Sequence, residues 1–245
     1  MKMDKKSSLI LSFMITFVVL GNFLFFYDFS DGREEVIISE VIDGDTLKLE
    51  DGRTVRLLNI NTPEKNEKNY QEAKNFLETY VNKSVLIEVE GVGKYGRVLG
   101  RVYTPEYLNL EIVERGLAHS YLVGEDELGK FKEAEERSRE EGKGIWEKSE
   151  YYGCVNVEIN KNEEYLVLKL GCDVNLDDWT LKDESTKIYH LHSISFNEVT
   201  IYSEKGLDDG EKLYWGQGNV WNNDKDSIFV RDARGFLVFY DSYGY

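Results

Sequence analysis

Residues 41–64 read VIDGDTLKLEDGRTVRLLNINTPE, and their patterning leaves few folds open. Thr46, Leu47, Lys48 and Leu49 alternate polar and apolar, Asp51-Gly52 is a hairpin-turn dipeptide, and residues 54–60 read as the returning strand. The stretch is therefore expected to be a β-hairpin. Asp43-Gly44-Asp45-Thr46 opens one strand and Asn61-Thr62-Pro63-Glu64 follows the other, so antiparallel pairing gathers both polar sets at one mouth.

The rest of the chain extends this pattern. Residues 34–42 form a strand rich in Val and Ile, residues 84–90 and 98–103 two more, and the turn between them carries Gly93, Lys94, Tyr95, Gly96 and Arg97. Tyr70, Ala73, Leu77 and Tyr80 stand at helical spacing, which predicts an amphipathic helix over 66–80 with Glu64 and Glu67 near its positive end. A second short helix stops near Gly116. A third, over 125–141, has a narrow stripe of Leu128, Phe131 and Ala134, and its charge run is expected to be a solvated face. The fold class is mostly β, of the α+β kind: a five-stranded barrel of the OB type with three helices, spanning residues 33–150. Beyond it, strands are expected over 164–170, 178–182, 187–192, 198–202, 227–231 and 235–240. Strands at such spacing suggest an Ig-like antiparallel β-sandwich over 151–245.

Residues 9–27 are almost wholly apolar and follow Lys2, Lys5 and Lys6. About 20 such residues suffice to cross a bilayer, and no small-x-small cleavage site follows. Residues 1–32 are thus expected to be a membrane anchor with its linker, the lysines keeping the N-terminus inside and the rest facing the exterior. A cleaved signal, which would make the protein secreted, is the alternative. The net charge of −16 is spread over both halves and argues against avid, nonspecific adhesion to nucleic acid or to an anionic membrane. Phosphate contacts would have to come from a few placed arginines and a metal ion. Cys154 and Cys172 form no CxxC pair. A disulfide and two buried thiols both fit them.

The hairpin mouth has its own chemistry. Asp45, the amide oxygen of Asn61 and the Thr62 carbonyl are hard oxygens that could hold Ca²⁺. Arg56 and Arg97 each present a planar fork to phosphate. Glu64 could orient or deprotonate a water. A metal, two arginines and a carboxylate suit displacement at phosphorus, although each residue singly also fits a turn, a strand surface or a helix start.

The hairpin sequence followed in order by GKYGRVLGRVY, ERGLAHSYL and KGIW resembles the staphylococcal nuclease (thermonuclease) family over about residues 36–147. The resemblance implies an OB-fold, Ca²⁺-dependent phosphodiesterase that cuts DNA and RNA on the 5′ side of phosphorus and leaves 3′-phosphate ends. It implies Asp45, Asn61 and Thr62 as metal ligands, Arg56 and Arg97 as phosphate-binding arginines and Glu64 as the carboxylate beside the water. Lys94, Tyr95 and Tyr121 would contact the nucleotide, and Asp43 would neighbour the metal site. Asn61 stands where the family commonly has aspartate, which removes a charge and implies weaker calcium binding.

The second half, through NEEYLVLKL, LDDWTLKD and LYWGQGNVWNNDKDSIFVRDARGFLVFYDSY, is similar to a lamin-tail domain. That implies a binding or tethering module whose partner the sequence does not name. Trp179, Trp215 and Trp221 suit a sandwich core better than a ligand platform, and residues 222–226 suit a solvated turn better than a cation site. No role is assigned to His119, His190 or His192. The expectation is a monomeric, membrane-anchored or exported nuclease acting on single-stranded or frayed strands, since an acidic surface holds a duplex poorly and an OB groove suits single strands. A non-catalytic surface protein that binds nucleic acid or cell surfaces is the alternative.

Overall fold

The computed structural model describes residues 32–192 and 197–245. The apolar segment at residues 9–27 lies outside them, and among the described residues no helix is long and apolar enough to cross a membrane. Residues Glu35–Tyr245 gather into one compact unit.

Strands β1 (Arg33–Val41), β2 (Thr46–Leu49), β3 (Thr54–Leu57), β5 (Ser84–Val92) and β6 (Val98–Tyr103) close a barrel in the order β1-β2-β3-β6-β5. Period-two alternation drives it: Val36, Ile38, Leu47, Leu49, Val55, Leu57, Val85, Ile87 and Val102 point inward and are buried together. The Asp51-Gly52 turn closes the β2–β3 hairpin, with Gly52 at φ 91° and the Asp51 carboxylate accepting the Arg53 amide at 2.9 Å. Helices α1 (Tyr70–Glu78), α2 (Leu108–Glu114) and α3 (Glu125–Glu140) cover the barrel, and Phe131 and Ala134 of α3 are buried in its core.

Three details depart from the alternation. The returning strand ends at Leu57 rather than running to residue 60, because Asn59 takes a left-handed conformation (φ 67°) and its amide donates to Glu127 at 2.7 Å. Ile60–Asn61 then forms a separate short strand, β4, paired with His119–Ser120, β7. Helix α1 starts at Tyr70, not at 66, because Asn66 and Asn69 also have positive φ (80° and 68°). The charge run of α3 is not wholly solvated: Glu127 is buried and accepts from Arg101 at 2.8 Å, and Glu135 accepts from the Ser120 amide and, at 2.7 Å, from the Tyr240 hydroxyl. Burial pushes the Glu135 carboxyl above its ordinary range.

Beyond residue 150, two four-stranded sheets face each other. One runs β11 (Ile188–His190), β10 (Thr180–Lys182), β14 (Asp226–Arg231), β15 (Leu237–Tyr243); the other runs β13 (Lys212–Tyr214), β12 (Glu198–Tyr202), β9 (Tyr165–Leu170), β8 (Val155–Asn160). All pairings are antiparallel except β12–β13, which is parallel. Val157, Leu166, Leu168, Leu181, Val199, Ile201, Ile228 and Val230 fill the space between the sheets. Trp179, Trp215 and Trp221 lie in that core. Asp226 is buried rather than part of a solvated turn, since its carboxylate accepts the amides of Asn222 and Ser227, each at 2.8 Å.

Cys154 and Cys172 are joined by a disulfide, with Cα atoms 5.4 Å apart across a separation of 18 residues. Cross-linking a loop of that size restricts the unfolded chain, so reduction or Cys172→Ser is expected to lower unfolding free energy by about 3 kcal/mol. Thermal melts with and without a reductant measure that loss.

A third apolar cluster, of Ile145, Trp146, Phe229 and Leu237, joins the barrel's C-terminal end to the sheet of β14 and β15. Trp146 is fully buried there, 5.8 Å from the Phe229 ring and 4.9 Å from that of Tyr240. This packing accompanies contacts between the mouth of the hairpin and the end of β10 with the segment that follows it.

Candidate active site

Antiparallel pairing of β2 and β3 sets Thr46 opposite Arg56, and the Leu57 amide donates to the Asp45 carbonyl at 2.8 Å. Asp45 and Arg56 therefore emerge side by side. The Asp43 carboxylate accepts the Asp45 amide at 3.1 Å and tightens the preceding turn. Gly44 is required at its centre: a Cβ there would come within 2.7 Å of both the Ala73 Cβ and the Thr62 Oγ1. Thr62 is thereby free to approach Asp45 from the far side.

The Asp45 carboxylate is buried and fully engaged. Its Oδ1 accepts from Thr46 Oγ1 and from Arg56 Nε, each at 3.1 Å. Its Oδ2 accepts from the Thr62 amide at 3.1 Å and the Thr62 hydroxyl at 3.0 Å. Arg56 donates further to the Leu57 carbonyl at 2.5 Å and to Asn61 Oδ1 at 3.0 Å. One guanidinium thus ties Asp45 to Asn61. Asn61 in turn donates its amide hydrogens to the carbonyls of Glu184 and Ser185, each at 3.2 Å, which belong to the segment after β10. An aspartate in that place would turn an acceptor-only carboxylate toward two carbonyl oxygens, so the amide at 61 answers to the C-terminal sheet.

Glu64 is exposed just beyond Pro63. Its carboxyl is raised above the ordinary range by partial burial, against the opposing pull of Lys182 and with added repulsion from Asp45, Glu67 and Asp43. Burial, reinforced by Asp45, likewise raises Asp43. The carboxylates of Asp43, Asp45, Glu64 and Glu67 therefore share one electrostatic neighbourhood with Lys182.

Arg97 comes from the one-turn helical segment Lys94–Gly96 that precedes β6. The parallel register of β3 and β6 sets Val55 opposite Val98 and Arg56 opposite Leu99, so Arg97 stands immediately before the strand that lies against Arg56. Its Nε is buried without a hydrogen-bond partner, and its guanidinium lies 5.9 Å from the Tyr95 ring centre. Tyr95 itself is 93% exposed, at φ 63°. Lys94 is exposed beside it, and among the described residues no hydrogen bond ties either to Asp45. Tyr121 follows β7, its amide donating to the Asn59 carbonyl at 2.9 Å. Burial raises its hydroxyl, with Glu184, Asp183 and Asp226 adding to the effect and Arg56 opposing it.

The structure thus brings together Asp43, Asp45, Arg56, Asn61, Thr62 and Glu64, sets Arg97 at the start of the strand beside that of Arg56, and leaves Lys94 and Tyr95 exposed. Sequence reasoning missed Glu67 and Lys182. Glu67 Oε2 accepts the Glu64 amide at 2.6 Å and the Lys182 ammonium at 2.6 Å. His119, unassigned from sequence, is buried against Phe229 with ring centres 4.8 Å apart, and burial drives its pKa down to about 3. It is a neutral packing residue.

Among the described residues no group of three or more His, Cys, Asp or Glu side chains is arranged to hold a metal ion. The oxygens of Asp45, Asn61 and Thr62 are nevertheless of the hard type a Ca²⁺ ion takes. Arg56 spans the two side chains that a cation would share. By donor chemistry the set fits such an ion, with Asp45 as its one full charge and Asp43 and Glu64 alongside.

Residues 54–148 match the family model described as staphylococcal nuclease homologue. Over these residues the chain is staphylococcal-nuclease-like. Arg56, Asn61, Thr62, Glu64, Lys94, Tyr95, Arg97 and Tyr121 lie inside the match, while Asp43 and Asp45 lie just before it. The chain is also 30% identical over 146 residues to Endonuclease YhcR of Bacillus subtilis (strain 168), covering 49% of this chain and 12% of that protein. An uncharacterized endonuclease of Escherichia coli is 33% identical over 90 residues, 34% of this chain and 59% of its own length. The chain thus spans only part of each of these relatives. The closed barrel is the nuclease-like part, and the two facing sheets lie beyond the matched residues.

Proposed function

We propose that the chain is a Ca²⁺-dependent phosphodiesterase that cuts single-stranded DNA and RNA endonucleolytically and leaves 3′-phosphate ends. The observation that carries this reading is the unpartnered Nε of Arg97, at the start of the strand that pairs with the one bearing Arg56, together with the exposed Glu64 carboxylate in the neighbourhood of Asp45. Arg56 is already held by Asp45 and Asn61, so Arg97 is the arginine ready to take a phosphate oxygen. Two guanidinium groups would stabilise the charge that develops on the non-bridging oxygens. Glu64 accepts a proton from a water as its oxygen bonds to phosphorus, the P–O5′ bond breaks, and the departing 5′-oxygen takes a proton from solvent. The phosphate remains on the 3′ side. Asp45, Asn61 and Thr62 would hold the calcium ion, which when bound would neutralise phosphate charge. Tyr95 and Lys94 at the rim, with Tyr121 behind them, would stack on or contact the nucleotide, and stacking of that kind suits single strands.

The endonuclease names of the relatives and the match over residues 54–148 support this reading. We further propose that the C-terminal sandwich is a lamin-tail-like binding or tethering module, that residues 9–27 anchor a monomeric chain with its folded part facing the exterior, and that cleavage of that segment would release it. The test is incubation of the full chain with a single-stranded oligonucleotide and Ca²⁺. Cleavage to 3′-phosphate products that a calcium chelator abolishes is the expected result, and an intact oligonucleotide under those conditions overturns the reading.

A further inference from the structure

The loop between Asn61 and Glu67 carries two of the proposed metal ligands and the carboxylate beside the water, and both of its ends are tied to the C-terminal sheet. At one end Asn61 donates to the carbonyls of Glu184 and Ser185. At the other, Glu67 Oε2 receives the Lys182 ammonium and the Glu64 amide together. The Lys182 side chain is 8% exposed and that of Glu67 20%, so the pair is shielded from the screening that weakens surface ion pairs. Lys182 is itself held in mid-sheet, between Ile188 of β11 and Phe229 of β14. Beneath the loop, Thr62, Pro63, Glu67, His119, Lys182 and Phe229 line a cavity of only about 20 Å³, room for about one water.

We propose that Lys182 is a positioning residue of the hydrolytic site, acting through Glu67 to hold Glu64 at the angle from which it addresses the attacking water. The inference rests on the hydrolytic reading of the barrel mouth and assigns the C-terminal sheet a part in the reaction distinct from any tethering. Removing the ammonium leaves Glu67 without its fixed partner, so the carboxylate that accepts the Glu64 amide is no longer held in place. Small misplacements of reacting groups cost far more in turnover than in binding.

The test compares the full wild-type chain with Lys182→Met, Lys182→Arg and Glu67→Ala on a single-stranded oligonucleotide with Ca²⁺, alongside amide hydrogen exchange at Glu64. Lys182→Met and Glu67→Ala are expected to lower kcat about ten- to hundred-fold, with KM changed by no more than about two-fold. Exchange at the Glu64 amide should quicken about ten-fold in both. Lys182→Arg, which keeps a donor and a charge, should restore most of kcat. Circular dichroism identifies any unfolded variant, and Glu67→Ala decides if Lys182→Met is one. A folded Glu67→Ala chain that turns over at the wild-type rate overturns the proposal, and so does a Lys182→Met defect that arginine does not repair. An inactive wild-type chain instead overturns the hydrolytic reading, and the proposal with it.

Discussion

Arg56→Ala is expected to lower both stability and turnover, and to cost more stability than any other single change at the barrel mouth. Among the described residues the guanidinium is the only full positive charge bonded to the buried Asp45 carboxylate, and it also satisfies Asn61 Oδ1 and the Leu57 carbonyl. Removing one member of a buried pair leaves an uncompensated charge, which costs about 3 kcal/mol. For a chain of this length that corresponds to a melting temperature lower by about 10 °C. Turnover should fall by about 10² to 10³, the effect of deleting one preorganised stabiliser of transition-state charge. Arg56→Lys separates the two effects: a lysine keeps the charge beside Asp45 but cannot span Asp45, Asn61 and Leu57 at once. It should recover more stability than activity. Melting curves and single-turnover rates, both taken well below the melting transition, check this, and equal recovery of both would show that Arg56 is structural only.

Glu64→Gln is expected to do the reverse. The side chain is exposed and its carboxylate makes no hydrogen bond among the described residues, so stability should stay within about 0.5 kcal/mol of wild type. Loss of the group that takes the water's proton should lower kcat by about 10² to 10⁴. The wild-type pH profile carries a second signature. Because burial raises the Glu64 carboxyl, the protonated, inactive form persists to higher pH than for an ordinary glutamate. Activity should therefore fall on acidification at a pH above the usual carboxylate range, and this limb should vanish in the residual activity of Glu64→Gln.

Much of the barrel was readable because its determinants are local. Alternation at period two, the Asp51-Gly52 turn and the spacing of Ala73 and Leu77 each act within a few residues. The proposed site was readable for the same reason: residues 43–64 form one hairpin and its exits, and Arg97 arrives through a strand paired directly with β3. Where the reading failed, a distant partner decided. Asn59 breaks the strand because Glu127 accepts its amide, and the expected solvated face of α3 yields bonded carboxylates, Glu127 buried and Glu135 partly so, because Asn59, Arg101, Ser120 and Tyr240 reach it. Strands β8 and β13 were not anticipated, although β8 alternates apolar and polar residues at period two as the barrel strands do. Lys182 and the carbonyls of Glu184 and Ser185 could not have been placed, since nothing near residue 61 encodes which part of a later sheet will lie against it. The asparagine at 61 was the one available sign.

The cluster around Trp146 bears on how portable the barrel is. A chain cut after residue 150 would expose an indole now sealed by Phe229 and Tyr240, while Asn61 and Glu67 would lose their partners in the same stroke. Recombining this barrel with another C-terminal module would therefore alter its working surface, and the two halves are best regarded as having been selected together.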